Sequence, residues 1–122
     1  NHTMHHLQGM KVTSYRYMHD ITEANDLIGS CLFRPPHGLL RWRQARAIKD
    51  RYNIVMYDLV TRDYSKKLNP EQVMANVKRY ARNGSIIVFH DSLKAEKNMK
   101  AVLPQAIEWL LERGYSFASI PM

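Results

Sequence analysis

Ile86-Ile87-Val88-Phe89-His90-Asp91 runs four apolar residues straight into an imidazole and a carboxylate. Four consecutive apolar side chains bury both faces of a strand, which suits a parallel strand covered on both sides rather than a half-exposed one with in-out alternation. Upstream, Asn69-Pro70-Glu71-Gln72 opens a helix: Asn69 caps, Pro70 fits the first turn, and Gln72 can reach back to the cap residue. Val73, Val77 and Tyr80 follow at helical spacing and Asn83-Gly84 supplies the stop, so a helix over 69–84 leads into the strand.

Outward from this pair of elements the alternation repeats. Residues 31–33 and 54–57 read as earlier buried strands and 115–120 as a later one, while 15–28 and 40–52 read as weaker helices. Met99, Val102, Leu103, Ile107, Leu110 and Leu111 form the stripe of a helix over 98–113, which Gly114 ends and Pro104 bends or restarts. The order predicts an α/β fold with parallel strands, in which sites gather at the carboxyl ends of strands. Arg34 follows the first strand, Asp58 and then Asp63 the second, and His90 the third. The expected site therefore draws on Arg34, Asp58 or Asp63, and His90.

Composition narrows the class. The chain has 122 residues, 45% of them hydrophobic, with 18 Lys+Arg against 11 Asp+Glu for a formal charge of +7. This is one small folded unit rather than a disordered tail, and no apolar run approaches the roughly 18–20 residues that span a bilayer. The lone Cys31 excludes an internal disulfide and a multi-cysteine zinc site. The basic residues are spread over several helices, with 41–51 the densest cluster, so nucleic acid is not the expected partner.

His2 and His6 stand four apart, so in a helical 3–7 segment they share a face and can grip one divalent metal. Two histidines leave the ligand set of a catalytic zinc or cobalt one short. Arg34-Pro35-Pro36-His37-Gly38 is a stiff turn that begins with a guanidinium fork suited to a carboxylate. Asp63-Tyr64 sets an acid that can orient a histidine beside a ring that can wall a groove, and His90 can serve as general acid or base. Each has a plainer alternative: Asp58 as a residue that ends its strand, Tyr64 as packing, His90 as a structural group beside a core strand.

Together, His2-Thr3-Met4-His5-His6, Arg34-Pro35-Pro36-His37-Gly38, Asp63-Tyr64 and Val88-Phe89-His90-Asp91 resemble, in order, four motifs of the polysaccharide deacetylases, the NodB-homology group or carbohydrate esterase family four. The resemblance implies that residues 1–122 are the C-terminal portion of one such domain, a distorted (β/α) barrel with parallel strands. It implies metal-dependent hydrolytic removal of acetyl groups from a polysaccharide, foremost N-acetylglucosamine polymers such as peptidoglycan or chitin-like sugars, with xylan as another candidate. It assigns His2 and His6 as ligands of a divalent metal, zinc foremost, and Arg34 as tether of the catalytic carboxylate. The backbone at His37 would help hold the developing oxyanion, His90 would protonate the leaving amine under the orientation of Asp63, and Tyr64 would line the sugar groove.

The chain departs from the family pattern in carrying His37 for tyrosine, Tyr64 for tryptophan and Val88 for leucine. The family's aspartate-containing motif, source of the catalytic base and third metal ligand, has no counterpart before His2. The chain alone is therefore expected to be inactive and to self-associate through the face that motif's segment would cover. By the same resemblance, its setting is the cell envelope or outside the cell. The alternative of another class is a catalytically idle carbohydrate-binding module.

Overall fold

The computed structural model describes residues 1–121, which form two compact units: Asn1–Met56 with Ile120 and Pro121, and Tyr57–Ser119. The first unit holds α1 (Ser14–Ile28), β1 (Leu32–Phe33), α2 (Trp42–Lys49) and β2 (Asn53–Ile54). Thr13 caps α1 by accepting the Arg16 N–H at 3.2 Å, and Gly29 at φ 58° ends it in the left-handed turn that glycine adopts cheaply. β1 and β2 pair in parallel, Leu32 with Asn53 and Phe33 with Ile54, with α2 as their crossover. The core is Tyr17, Ile21, Phe33 and Ile48, all fully buried, closed by Tyr52. Phe33 lies 6.2 Å from both the Tyr17 and the Tyr52 ring.

Gly9 makes a close backbone approach in this unit. A Cβ there would lie 2.7 Å from Gln44 Oε1 and 3.2 Å from the Tyr17 ring. Gln44 is itself fully buried, donating to Gly9 O at 2.9 Å and accepting from Arg41 N at 2.8 Å. One side chain thus ties the start of α2 to the segment before α1.

The second unit holds β3 (Leu59–Val60), α3 (Pro70–Tyr80), β4 (Ile87–Val88) and α4 (Glu96–Glu112). The capping box at Asn69 forms as expected, with Gln72 N–H on Asn69 Oδ1 at 2.9 Å and Asn69 N–H on Gln72 Oε1 at 3.0 Å. β3 and β4 pair in parallel, Leu59 with Ile87 and Val60 with Val88. Val73, Met74 and Val77 of α3 pack against Val102, Ala106 and Leu110 of α4, with Ile87 and Phe89 beneath.

The α/β class with parallel strands is borne out, and several boundaries move. Of the expected strand 54–57 only Ile54 is in strand, as the end of β2, and β3, two residues long and not expected, begins after Asp58. α3 stops at Tyr80 because the Arg82–Ser85 turn, closed by Ser85 N–H on Arg82 O at 3.1 Å, takes over before Gly84. α4 starts two residues early and continues through Pro104 as one helix. Residues 115–120 form no strand, since they pair with no other strand among the described residues. No helix among the described residues is long and apolar enough to cross a membrane.

Candidate functional site

In the first unit, residues 3–7 are not helical. Thr3 (φ 63°) and His6 (φ 53°) both adopt left-handed backbone, and the segment is a bend. A β-branched residue there costs on the order of 1 kcal/mol or more, so the surroundings must hold it. Asn1 lies along β1, donating to Leu32 O at 2.7 Å and accepting from Arg34 N at 2.9 Å, while its amide reaches Ile21 O and Thr3 N. Thr3 Oγ1 accepts the Leu7 N–H at 3.0 Å.

Asp20, buried on α1, takes the His5 N–H at 3.0 Å and His5 Nδ1 at 2.6 Å. Burial alone would raise the Asp20 carboxyl, but the His5 backbone and ring bonds outweigh it and hold the group below its ordinary value. The same hydrogen bond holds His5 above its own. His5 and Asp20 are thus the anchor of the loop, a role that sequence reasoning missed because Asp20 is 15 residues from its partner and sits in a helix.

The anchored loop brings His2 and His6 together, with ring centres 5.0 Å apart at 67°. His2 Nδ1 lies 2.6 Å from Arg34 O. A carbonyl only accepts, so Nδ1 carries the proton and Nε2 presents its lone pair outward. Burial, foremost, lowers the His2 pKa and favours the neutral imidazole that can ligate a metal. Two imidazoles on one tetrahedral zinc, with Zn–N of about 2.0–2.1 Å, place their ring centres about 5 Å apart, so the pair fits a divalent ion.

Arg34 leaves β1 with its Nε on Val55 O at 3.2 Å. The turn behind it closes by Gly38 N–H on Pro35 O at 2.9 Å. Buried Pro36 and His37 (φ 60°, ψ 5°) occupy its middle, so it is a type II turn with histidine where glycine or asparagine is usual. The exposed His37 ring packs T-shaped on His6 at 5.1 Å. Among the described residues, one trio of potential ligands lies within 4.8 Å of one another: His5, Asp20 and Glu23, where Asp20 is already spent on His5.

In the second unit, Asp63 follows β3 and is 1% exposed. Its Oδ2 accepts the His90 N–H at 2.7 Å, and its Oδ1 accepts from His90 Nδ1 at 2.7 Å and Tyr64 N at 3.1 Å. The carboxylate grips both the backbone and the ring of His90, fixing the Nδ1–H form and leaving Nε2 to take or give a proton. Tyr64 meets the His90 ring edge-on at 4.7 Å. Buried Asn98 holds the Asp63 loop by donating to Asp63 O and Leu68 O, both at 3.0 Å. Fully buried Thr61 ties β3 to Val88 O at 2.8 Å. Neither Asn98 nor Thr61 was signalled by a motif; each is a buried polar residue that bonds backbone carbonyls far away in the sequence.

Asp58 does not join this pair. It stands before β3, accepting from Ile86 N at 2.8 Å, Ser85 Oγ at 3.0 Å and Arg82 Nε at 3.2 Å. Those bonds, the Ile86 N–H foremost, keep its carboxyl below its ordinary value, and its work is to hold the turn into β4.

No family model matches the chain. It is 26% identical to a peptidoglycan-N-acetylglucosamine deacetylase of Bacillus cereus, over 98% of this chain and 60% of that protein. Its fold overlays a crystal structure of a peptidoglycan N-acetylglucosamine deacetylase in complex with 4-naphthalen-1-yl-N-oxidanyl-benzamide at a TM-score of 0.89. That match has 26% identity and covers 99% of this chain and 60% of the other. It overlays a family 4 carbohydrate esterase of Streptomyces lividans, in complex with acetate, at 0.84 with 22% identity, covering 99% of this chain and 64% of the other. A family pseudoenzyme of Bacillus anthracis shares the fold at 0.82, with 23% identity over 95% of this chain and 42% of the other. The chain thus resembles the polysaccharide deacetylases in sequence and fold, and spans about 60% of the length of the first two.

Proposed function

Taking the chain to be part of a polysaccharide deacetylase domain, we propose that it serves an enzyme that hydrolyses acetyl groups from N-acetylglucosamine polymers at or outside the cell surface. The observation that carries the reading is the His2–His6 pair, set 5.0 Å apart with the His2 Nε2 turned outward by Arg34 O. His2 and His6 would hold a divalent metal, zinc foremost; when bound, it polarises the acetyl carbonyl and acidifies water. The backbone N–H at His37 donates to the developing oxyanion. His90, with Nδ1–H committed to Asp63, delivers its Nε2 proton to the departing amine. Tyr64 walls the sugar beside His90, and Arg34 steadies a carboxylate.

Asp20, the buried carboxylate of the first unit, is committed to His5 and so is not free to act as catalytic base. The 122-residue chain alone is therefore expected to release no acetate from acetylated chito-oligosaccharides. The decisive experiment grafts residues 1–122 in place of the matching 60% of the Bacillus cereus deacetylase. Metal-dependent acetate release, lost in the grafted His90→Ala and His2→Ala variants, is expected. A folded, metal-loaded graft that releases none overturns the reading.

A further inference from the structure

We infer that the outer face of α2 is a docking surface for a linear acidic polysaccharide. α2 buries Gln44 and Ile48 on one side. Trp42, Arg46 and Lys49 form the opposite stripe at i, i+4 and i+7, with Arg43 beside it, Arg41 just before the helix and Arg51 just after. All six are exposed, and the helix rise sets successive members of the stripe roughly 4.5–6 Å apart along the axis.

The charge on this face is not neutralised. Asp50 is the only acid in 34–57. The ion pairs among the described residues are His5–Asp20, Arg82–Asp58, His90–Asp63 and Lys100–Glu96, and none takes up a cation of the α2 face. Trp42 is 78% exposed and joins neither core, and arginine and tryptophan are the residue types that interfaces enrich. The face is also held ready, because buried Gln44 ties the start of α2 to Gly9 O and Arg41 reaches Met10 O at 2.8 Å. Charge complementarity calls for a polyanion. A bilayer needs an apolar face, and α2 spends its own on the core. Single-stranded nucleic acid needs successive aromatic platforms, and the stripe offers one ring. An acidic polysaccharide needs spaced cations and one flat apolar surface for a sugar ring, which Trp42 supplies. That the polyanion is a polysaccharide rests on the proposed function; that the partner is anionic does not.

The test measures binding of the 122-residue chain to labelled polygalacturonate by fluorescence anisotropy, beside neutral dextran, single-stranded DNA and phosphatidylglycerol vesicles. Circular dichroism verifies that each variant is folded. Polygalacturonate should bind and dextran should not, with affinity falling about tenfold or more from about 50 to about 150 mM NaCl. R43Q/R46Q/K49Q should weaken binding at least about tenfold, whereas K78Q/K94Q/K97Q, which removes the same charge from exposed positions elsewhere, should stay within about twofold of the parent. W42A should weaken binding and leave the salt dependence unchanged, since it removes no charge. If the two triple variants weaken binding alike, net charge and not α2 is responsible and the assignment is overturned. It is overturned as well if W42A binds like the parent, or if DNA or vesicles bind more tightly than polygalacturonate. Acetate release by the graft reads the deacetylase proposal by itself, so either can fail without the other.

Discussion

Replacing Asp63 by asparagine changes one atom in the centre of the second unit and forces a choice on its neighbours. The carboxylate accepts three N–H groups, from Tyr64 N, His90 N and His90 Nδ1, while 1% exposed. An amide offers one oxygen. If that oxygen keeps the Oδ1 position, its NH2 faces the His90 N–H and leaves a buried donor unpaired. If it takes the Oδ2 position, the NH2 faces Tyr64 N and His90 Nδ1, and the imidazole must move its proton to Nε2 to accept. Either way at least one buried donor is orphaned, at about 1–3 kcal/mol. The surviving bonds also lose charge assistance, roughly half their strength. The expected loss is about 2–4 kcal/mol, read by urea unfolding followed through Trp109, with nitrogen NMR of His90 reporting the change of tautomer. A loss under about 0.5 kcal/mol with the Nδ1–H form retained would refute the role given to Asp63.

Three further outcomes follow from the same geometry. Asp58 lies below its ordinary 3.8 chiefly because of the Ile86 N–H, with Ser85 and Arg82 adding to it. Its contribution is therefore present above pH 3.8 and lost as pH falls through the folded value, so D58N should flatten the acid limb of a stability-pH curve, and equal slopes would contradict this. Gly9→Ala should cost about 1–3 kcal/mol in urea unfolding, since its Cβ meets Gln44 Oε1 at 2.7 Å and Gln44 cannot yield without releasing Arg41 N; a neutral result would mean that segment moves freely. Asn69→Ala should cost about 1 kcal/mol by losing the α3 cap, measured the same way, and a change near zero would show the Gln72 half of the box suffices.

Much of the fold was legible because it is local. The α3 cap is written in four consecutive residues, and the parallel β4 in one apolar run. Likewise His90 and Asp63 could be paired from their places after strands, and the structure joins them at 2.7 Å. What escaped is long-range or backbone-dependent. Nothing in 3–7 says that Asp20 will hold it in two left-handed residues, so the helical expectation failed while the pairing of His2 with His6 survived by another route. Asp58 misled because a two-residue strand begins after it, which put it at the amino end rather than the carboxyl end. His37 was weighed for its backbone, and only the structure shows its ring against His6.

The acceptor that sets the His2 tautomer is the carbonyl of Arg34, a group common to every amino acid at that position. Substitution of Arg34 can strip the guanidinium without taking the hydrogen bond away, so this imidazole is insulated from drift in the neighbouring codon. His90 has no such protection, since its ring depends on the one side chain of Asp63, whose loss a single nucleotide change can bring about. Under random mutation the orientation of the His90 ring would be expected to be lost long before that of His2.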